Sequence, residues 1–378
     1  MTTLLTEEQT LLCDSVRDLL AAELSIDATR RWLDAGANER AEMVAGTWRR
    51  FAEQGWLGIA WPESCGGAGL GFLEQSLVLR EMGRVLVPSA YVSTHVAGTL
   101  LLKEGSRESL ETVARITAGE CSLAVVPPVR SESGLAGGAT GKVCDIRCEE
   151  GQAGLVLAGE APLVADATFA DFLLVAAEES DAGWSWMLVA ADASGLRCEE
   201  QETMDGTRPL SRLVFDRVPA RRVGSAGSGD ALWDATAPTW WLALAAESVG
   251  GCEQVLADSV AYAKDREQFG RPIGANQAIQ HRCADMFVRS EAARAITWHA
   301  AREMDQGSAG ARLACSMAKA HATEAFLEVA RDGIQVHGGV GFTWEFNCHF
   351  FYKRARASEV CGGHPEEHRE AVAQEAGL

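Results

Sequence analysis

The segment spanning residues 262–281 constrains the fold most, because it forces two long helical patterns to meet at one bend. The first pattern ends at Arg266, the chain turns at Arg271–Gly274, and a second helix is predicted to start near Gln277. Proline has a fixed φ and no amide hydrogen, and Gly274 accepts left-handed angles, so a helix break is expected here. Two helices should therefore approach one another at this turn.

The bend gathers a guanidinium, side-chain amides and an aromatic ring. Such a set suits a phosphate flanked by a planar heterocycle, because guanidinium groups bind phosphate with paired hydrogen bonds. A solvated pair of helix ends is the alternative that this stretch alone leaves open. The candidate binding residues are Arg266, Gln268, Phe269, Asn276 and Gln277.

A second candidate segment is glycine-rich and follows a predicted amphipathic helix. It reads Gln-Val-His-Gly-Gly-Val-Gly-Phe over residues 335–342. Glycines permit close approach of the backbone to a ligand, although an isolated cluster more often marks a turn. The candidates here are Gln335, Gly338 and Gly339, and His337 could either line a cofactor or close the loop.

The ordered pair of motifs, Arg-x-Gln-Phe-Gly-x-Pro-Ile-Gly at 266–274 and Gln-x-x-Gly-Gly-x-Gly-Phe at 335–342, resembles the acyl-CoA dehydrogenase family. The resemblance covers most of the chain. It implies an α+β fold with an N-terminal helical domain, a middle β-barrel domain and a C-terminal helical bundle. It also implies FAD as cofactor, an acyl-CoA substrate and electron-transfer flavoprotein as a partner. In the family the first motif holds one FAD, and the second reaches an FAD bound mainly by a neighbouring subunit.

Local patterns agree with that layout. Helical periodicity fills residues 1–119, short apolar runs fill 120–225, and helical periodicity returns over 226–378. Thr6 and Gln9 match a capping box, Ser225–Asp230 has the composition of a linker, and the loop at 61–71 resembles the Pro-Glu-x-x-Gly-Gly loop of the family. The later predicted helices are Ala41–Gln54, Leu73–Val85, Ser106–Ala118, Trp240–Ala263, Asn276–Gln306, Ala311–Val336 and Asn347–Ser358. The predicted strands include Leu123–Val126, Gly154–Ala158, Phe172–Ala176, Ser185–Val189 and Arg212–Phe215.

Composition limits the partners. The chain has 53 acidic and 34 basic residues and a net charge of −19, which disfavours nucleic acid and anionic membranes. It has neither a signal-peptide pattern at its start nor an apolar run long enough to span a bilayer, so a cytoplasmic location is expected. The 11 cysteines are scattered, and neither a metal site nor a disulfide framework is expected.

The catalytic base is the main departure from the family. The resemblance implies a carboxylate that removes an α-proton, at a position matching either Trp240 or the pair Gly362–Gly363, and neither position is acidic. Glu247 lies 7 residues beyond Trp240 on the same predicted helix face and is a candidate displaced base. A role for Glu247 as a helix-packing or surface acid is the better supported alternative.

The middle unit departs from the family pattern as well. The regions at 125–134 and 161–164 lack the family's Thr-Glu-x-x-x-Gly-Ser and Trp-Ile-Thr segments, which contact flavin and substrate. Arg212 could meet a CoA phosphate, but an ordinary surface role is favoured, and His281 and His321 are expected to be packing or surface residues.

Three hypotheses remain open from the sequence. In the first, the chain is the base-poor subunit of a mixed tetramer whose related partner carries the carboxylate. In the second, it is a complete homotetrameric flavoenzyme, either a dehydrogenase or an oxidase or monooxygenase, that uses Glu247 or another acid. In the third, it is a catalytically silent scaffold.

Overall fold

The computed structural model describes residues 5–128, 145–151, 154–180 and 182–378. Within these ranges, helices precede and follow a central set of strands, which confirms the predicted α+β class. The described helices are α1 (Glu7–Glu23), α2 (Ile26–Asp34), α3 (Ala37–Glu53), α4 (Phe72–Val85), α5 (Tyr91–Glu104), α6 (Arg107–Thr117), α7 (Gly229–Asp265), α8 (Gln277–Asp305), α9 (Ala311–His337), α10 (Cys348–Val360) and α11 (Pro365–Glu375). None of the described helices is long and apolar enough to cross a membrane.

The strands form one eight-stranded mixed sheet and a separate two-stranded hairpin. The strands are β1 (Leu123–Val126), β2 (Asp145–Gly151), β3 (Gly154–Ala165), β4 (Phe172–Glu179), β5 (Gly183–Ala190), β6 (Leu196–Gln201), β7 (Leu210–Pro219), β8 (Arg221–Val223), β9 (Glu267–Gln268) and β10 (Arg271–Pro272). In the large sheet the order is β6-β7-β3-β2-β4-β5-β8, and β1 pairs in parallel with β4. Alternating side chains of these strands point into one hydrophobic core.

The described chain divides into two compact units. The helical unit consists of residues 5–33, 72–87 and 241–378. The mixed unit consists of residues 34–71 and 88–240 and contains the large sheet. The three-domain division at 1–119, 120–225 and 226–378 stays a prediction.

Helix α7 differs most from expectation. It starts at Gly229 rather than Trp240, so the end of the predicted linker Ser225–Asp230 is already helical. Pro238 lies inside the helix, where it removes one backbone hydrogen bond. Burial of the adjacent Ala237 and Trp241 favours the continuous helix despite this cost.

Small residues allow α7 to approach α4 closely within the helical unit. A methyl group added at Gly250 would lie 1.8 Å from the carbonyl oxygen of Arg80, and one added at Gly83 would lie 2.1 Å from that of Glu247. No larger side chain fits at either position without moving backbone. Gly83 and Gly250 therefore set the close packing of the two helices.

A candidate cofactor-binding cleft

The two sequence motifs meet in one cleft of the helical unit. Its volume is about 480 Å³, and it opens between the turn after α7 and the end of α9. It is lined by Tyr262, Arg266, Gln268, Phe269, Ile273, Asn276, Ile279, Val336, His337, Gly339 and Val340. Of the predicted site residues, Gln277, Gln335 and Gly338 are adjacent to this lining but not part of it.

A tight hairpin shapes the rim of the cleft. Strands β9 and β10 pair through Gln268 and Arg271, with Phe269 and Gly270 as the two loop residues. Their φ angles are +55° and +78°, as a type I′ turn requires. A phenylalanine is disfavoured at positive φ, and here its side chain is 101% exposed. Backbone strain of this kind is typical of functional sites. The exposed ring of Phe269 is accessible to a ligand in the cleft.

Arg266 stands at the base of this hairpin. Its amide donates to the Tyr262 carbonyl at 2.8 Å, and its own carbonyl accepts from the Ile273 amide at 2.8 Å. Its guanidinium has no hydrogen-bond or ion-pair partner among the described residues and lines the cleft. The neighbouring Gln268 side chain donates to the Glu267 carbonyl at 2.9 Å. Arg266 is therefore the cation in this cleft that can receive an anion.

Asn276 is engaged within the turn, and its cofactor-binding role stays a prediction. Its Oδ1 accepts from Arg271 at 2.6 Å, and its Nδ2 donates to the Ile273 carbonyl at 3.1 Å. Both polar ends are used within the turn, so Asn276 chiefly holds the bend before α8. Gln277 is exposed in the first turn of that helix.

The glycine motif gives the cleft an open wall. Gly338 ends α9 with φ +67° and ψ −144°, a conformation close to one that only glycine adopts readily. A Cβ atom added at Gly338 or Gly339 would have no other atom within 4 Å, so this backbone faces open space. Gly341 differs, because an added Cβ would lie 3.0 Å from the Ile334 carbonyl. Gly339 thus leaves room for a ligand in the cleft, Gly338 leaves open space beside it, and Gly341 serves packing.

An aromatic stack joins the two motifs. The rings of Tyr262 and His337 lie 4.3 Å apart and 24° from parallel, and Phe346 packs edge-on against both. His337 Nδ1 donates to the Gly333 carbonyl at 2.8 Å, which leaves Nε2 as its free ring nitrogen. His337 therefore both closes the loop and lines the cleft, and Tyr262 was not singled out from the sequence.

The structure brings the two motifs together. The resemblance implied that they serve different flavins as separate half-sites, and this stays a prediction. Within one chain Arg266 and Gly339 line the same cleft, because the Tyr262–His337 stack brings the ends of α7 and α9 together. Both motifs of one chain can therefore meet a single ligand.

The two expected base positions hold no carboxylate in the structure either. Trp240 packs against Trp233 in the mixed unit, with ring centroids 5.9 Å apart. Gly362 and Gly363 are buried in the helical unit with φ angles of +72° and +102°.

Glu247 is placed as a packing residue. The residue is 5% exposed, and its carboxylate accepts a hydrogen bond from the Arg354 guanidinium at 2.9 Å. This buried ion pair joins α7 to α10. The geometry favours the helix-packing alternative over a displaced catalytic base.

The remaining candidates lie away from the cleft. Arg212 forms ion pairs with Glu160 and Glu199 on neighbouring strands. His281 and His321 are exposed on α8 and α9. Residues 129–134 of the first departing region in the middle unit lie outside the described residues, and residues 161–164 lie in β3 at an irregularity of its pairing with β7.

The cleft fits a dinucleotide cofactor. An unpaired guanidinium suits a pyrophosphate, the open glycine backbone permits close approach, and apolar side chains with Phe269 suit flat rings. An α+β protein with such a cleft has the features of a dinucleotide-binding protein.

Comparison with known proteins gives the family. The profile described as "Acyl-CoA dehydrogenase, N-terminal domain" matches residues 6–120, and "Acyl-CoA dehydrogenase, C-terminal domain" matches residues 242–377. Acyl-CoA dehydrogenase IpdE2 of Mycobacterium tuberculosis is 31% identical over 365 residues, which are 96% of this chain and 95% of that relative. The chain belongs to the acyl-CoA dehydrogenase family, it is an acyl-CoA dehydrogenase-type enzyme, and its cofactor is FAD.

Two solved structures are similar over nearly the whole chain. A variant of the Tcur3481-Tcur3483 steroid ACAD matches with a TM-score of 0.84 and 29% identity, over 98% of this chain and 99% of that chain. The ChsE4-ChsE5 complex from Mycobacterium tuberculosis matches with a TM-score of 0.85 and 28% identity, over 100% of this chain and 99% of that chain.

Proposed function

We propose that this chain is the base-poor subunit of a mixed-tetramer acyl-CoA dehydrogenase, which introduces an α,β double bond into a CoA thioester. The proposal rests on a cofactor-binding cleft combined with two base positions that carry no carboxylate. The cleft offers an unpaired Arg266 and an open glycine wall, whereas Trp240 and Gly363 stand where the family carries its base. Glu247, the candidate displaced base, is engaged by Arg354.

In this proposal the chain's own residues bind and orient the cofactor. Arg266 would hold the pyrophosphate through charge-assisted hydrogen bonds, and Gly338 and Gly339 would permit the backbone to approach it. Phe269 would cover a flat ring. FAD, when bound, accepts the hydride that the thioester loses. The proton must go to a carboxylate from another chain.

The partner is proposed from chemistry and from the similar structures. It would be a related chain with a carboxylate at the position matching Trp240 or Gly363. Both similar solved structures carry names of paired components, which supports such an assembly. The word steroid in one of these names supports a bulky alicyclic thioester as substrate. A cytoplasmic location and reoxidation by electron-transfer flavoprotein complete the proposal.

The test uses the purified assembly loaded with FAD. Under anaerobic conditions it is titrated with butyryl-CoA, octanoyl-CoA and a steroid side-chain CoA thioester, and bleaching of the flavin absorbance is followed. Native mass spectrometry of the same sample reports the subunits and the bound FAD. The proposal predicts two kinds of subunit, bound FAD and bleaching by at least one thioester.

Other results would contradict the proposal or favour one of the other hypotheses. An assembly that takes up no FAD would contradict the proposal outright. A homotetramer that is bleached by thioesters would replace the mixed tetramer by a complete enzyme, and rapid oxygen consumption would favour an oxidase. FAD uptake without reduction by any thioester, even with the partner present, would favour a silent scaffold.

A further inference from the structure

Arg30 of α2 makes three contacts with the segment that leads from the glycine motif into α10. Its Nε donates to the side-chain oxygen of Asn347 at 2.7 Å, and its Nη1 donates to the carbonyl of Trp344 at 2.5 Å. The guanidinium also lies over the ring of Phe350, 5.0 Å from the ring centroid. A guanidinium is planar and directs its donors along fixed directions, so these contacts hold the turn between residues 344 and 347 in one arrangement.

The turn that Arg30 holds carries Phe346, the third ring of the aromatic stack at the cleft. The centroid of this ring lies 5.8 Å from that of Tyr262 and 5.7 Å from that of His337. Tyr262 and His337 line the cleft, whereas Arg30 and Phe346 are not among the lining residues. Arg30 is therefore connected to the wall of the cleft through one intermediate side chain, and all of these residues belong to the helical unit.

The glycine wall itself has little packing to hold it. A Cβ atom added at Gly338 or Gly339 would have no other atom within 4 Å, and the following residues 342–345 are exposed. Few buried contacts allow a segment to move independently of the rest of a fold. The long-range contacts of Arg30 and the packing of Phe346 therefore support this segment where it enters α10.

The contribution of Arg30 to stability does not by itself explain an arginine at this position. Its Nη2 is buried and has no hydrogen-bond partner among the described residues, and the acceptors of Nε and Nη1 are neutral oxygens. A buried donor without an acceptor lowers the free energy of unfolding. An apolar side chain of similar length could cover Phe350 without that cost, but it could not hold the turn.

We propose that Arg30 is a positioning residue for cofactor binding, which holds the turn at 343–347 so that Phe346 supports the Tyr262–His337 stack and the glycine wall stays open to FAD. The inference rests on the part of the proposed function in which this cleft holds FAD. Arg30 acts on the chain before FAD arrives, because it prepares the cleft without lining it. Its loss leaves the contacts with FAD intact but lowers the fraction of chains that are ready to bind.

The experiment compares Arg30→Met with the wild-type chain in the assembly after removal of FAD. Methionine keeps an apolar stem over Phe350 and removes the donors. Arg31→Met is the matched control, because Arg31 is exposed on the same helix. Stopped-flow flavin fluorescence measures the association and dissociation rates of added FAD. Hydrogen exchange of the FAD-free samples, followed by mass spectrometry, reports the protection of amides in residues 338–347, with α11 as the internal reference.

We expect Arg30→Met to slow FAD association about tenfold and to change dissociation less than about twofold, because only the fraction of binding-competent chains falls. Amide exchange should become faster in residues 338–347 and stay unchanged in α11, and Arg31→Met should behave as the wild type. Wild-type association in a folded Arg30→Met assembly would overturn the inference. Faster exchange to the same extent in α11 would also overturn it, because Arg30 would then act on the stability of the whole unit.

A second variant keeps the inference testable if Arg30→Met fails to assemble. Asn347→Ala removes the acceptor of Arg30 Nε, and Asn347 makes no side-chain capping bond to α10 that would be lost with it. This variant should slow FAD association by a smaller factor, and an unchanged association rate would then overturn the inference. A wild-type assembly that takes up no FAD would contradict the proposed function, whereas equal uptake by the wild type and Arg30→Met would overturn the positioning role alone.

Discussion

The carboxylate of Glu247 and the guanidinium of Arg354 lie 2.9 Å apart, and both side chains are almost completely buried. The contact links α7 to α10 inside the helical unit. Breaking such a pair leaves a buried charge behind, whereas replacing both members by apolar residues can be nearly neutral. A substitution of Glu247 therefore distinguishes a structural role, which affects the free energy of unfolding, from a catalytic role, which affects flavin reduction.

We expect Glu247→Gln to lower the free energy of unfolding, by up to roughly 3–5 kcal/mol, because Arg354 loses its charged partner. Flavin reduction per assembled molecule should remain at the wild-type level. Urea denaturation and anaerobic reduction measure the two effects. The double variant Glu247→Leu with Arg354→Met is the control and should recover part of the lost stability. Loss of reduction by a stable, FAD-loaded Glu247→Gln assembly would restore Glu247 as the base.

The unpaired guanidinium of Arg266 gives the second prediction. Arg266→Ala should raise the FAD dissociation constant about tenfold to a hundredfold, because hydrogen bonds to charged groups contribute roughly 1.5–3 kcal/mol. Arg271→Ala is the matched control, since that guanidinium is engaged by Asn276, and its effect should be smaller. Flavin fluorescence of the assembly measures both. Equal effects of the two changes would contradict the assignment of Arg266 to the pyrophosphate.

Substitution of Phe269 should weaken FAD binding while leaving the stability of the chain almost unchanged. Phe269→Gly removes an exposed aromatic ring from a left-handed position, so the free energy of unfolding should change by no more than about 1 kcal/mol. FAD affinity should fall, because the ring surface that covers the cofactor is lost. Phe269→Tyr keeps that surface and should bind FAD as the wild type does. Unchanged affinity in Phe269→Gly would exclude contact between this ring and the flavin nucleotide.

Lys319 predicts a pH dependence of stability, because burial lowers its pKa to about 8. The folded lysine loses its proton near pH 8, whereas an ordinary lysine keeps it to about 10.5, so the unfolded state binds more protons in this window. The lysine's contribution to the free energy of unfolding should therefore rise as pH increases from about 8 to 10.5. Buried cysteines such as Cys315, with raised pKa, act in the opposite direction above pH 9.

The difference between the wild type and Lys319→Met removes the cysteine contribution, because both chains share it. The stability of the wild type relative to Lys319→Met should increase from pH 8 to pH 10. A relative stability that is flat or falls across this range would contradict the altered pKa of Lys319.

Local sequence rules predicted the elements whose signals are local. The capping box of Thr6 and Gln9 is present at the start of α1, and the turn at Pro272 separates α7 from α8 as expected. Helix α5 was missed because its first ten residues, Tyr91–Leu100, are almost all buried, so it lacks the alternation of apolar and polar faces. Strand β6 was missed because it is mostly exposed and polar.

The site was predictable in its residue types but not in its geometry. Arg266 and the glycine motif could be found from the sequence, because the charge of an arginine and the missing side chain of a glycine follow from residue type alone. The Tyr262–His337 stack that joins them is a long-range contact between two helices, and no local pattern encodes it. The positive φ of Phe269 runs against the preference of phenylalanine, so the hairpin could not be derived from propensity.

The base-poor assignment is tested most directly by the turnover of this chain with and without a partner. The chain is expressed alone and together with a related chain from the same genome that carries the carboxylate, and both preparations are loaded with FAD and assayed against the thioester panel with an artificial electron acceptor. The account predicts turnover only on co-expression, and loss of that turnover when the partner's carboxylate, at the position matching Trp240 or Gly363, is replaced by its amide. Full turnover by the lone chain would contradict it.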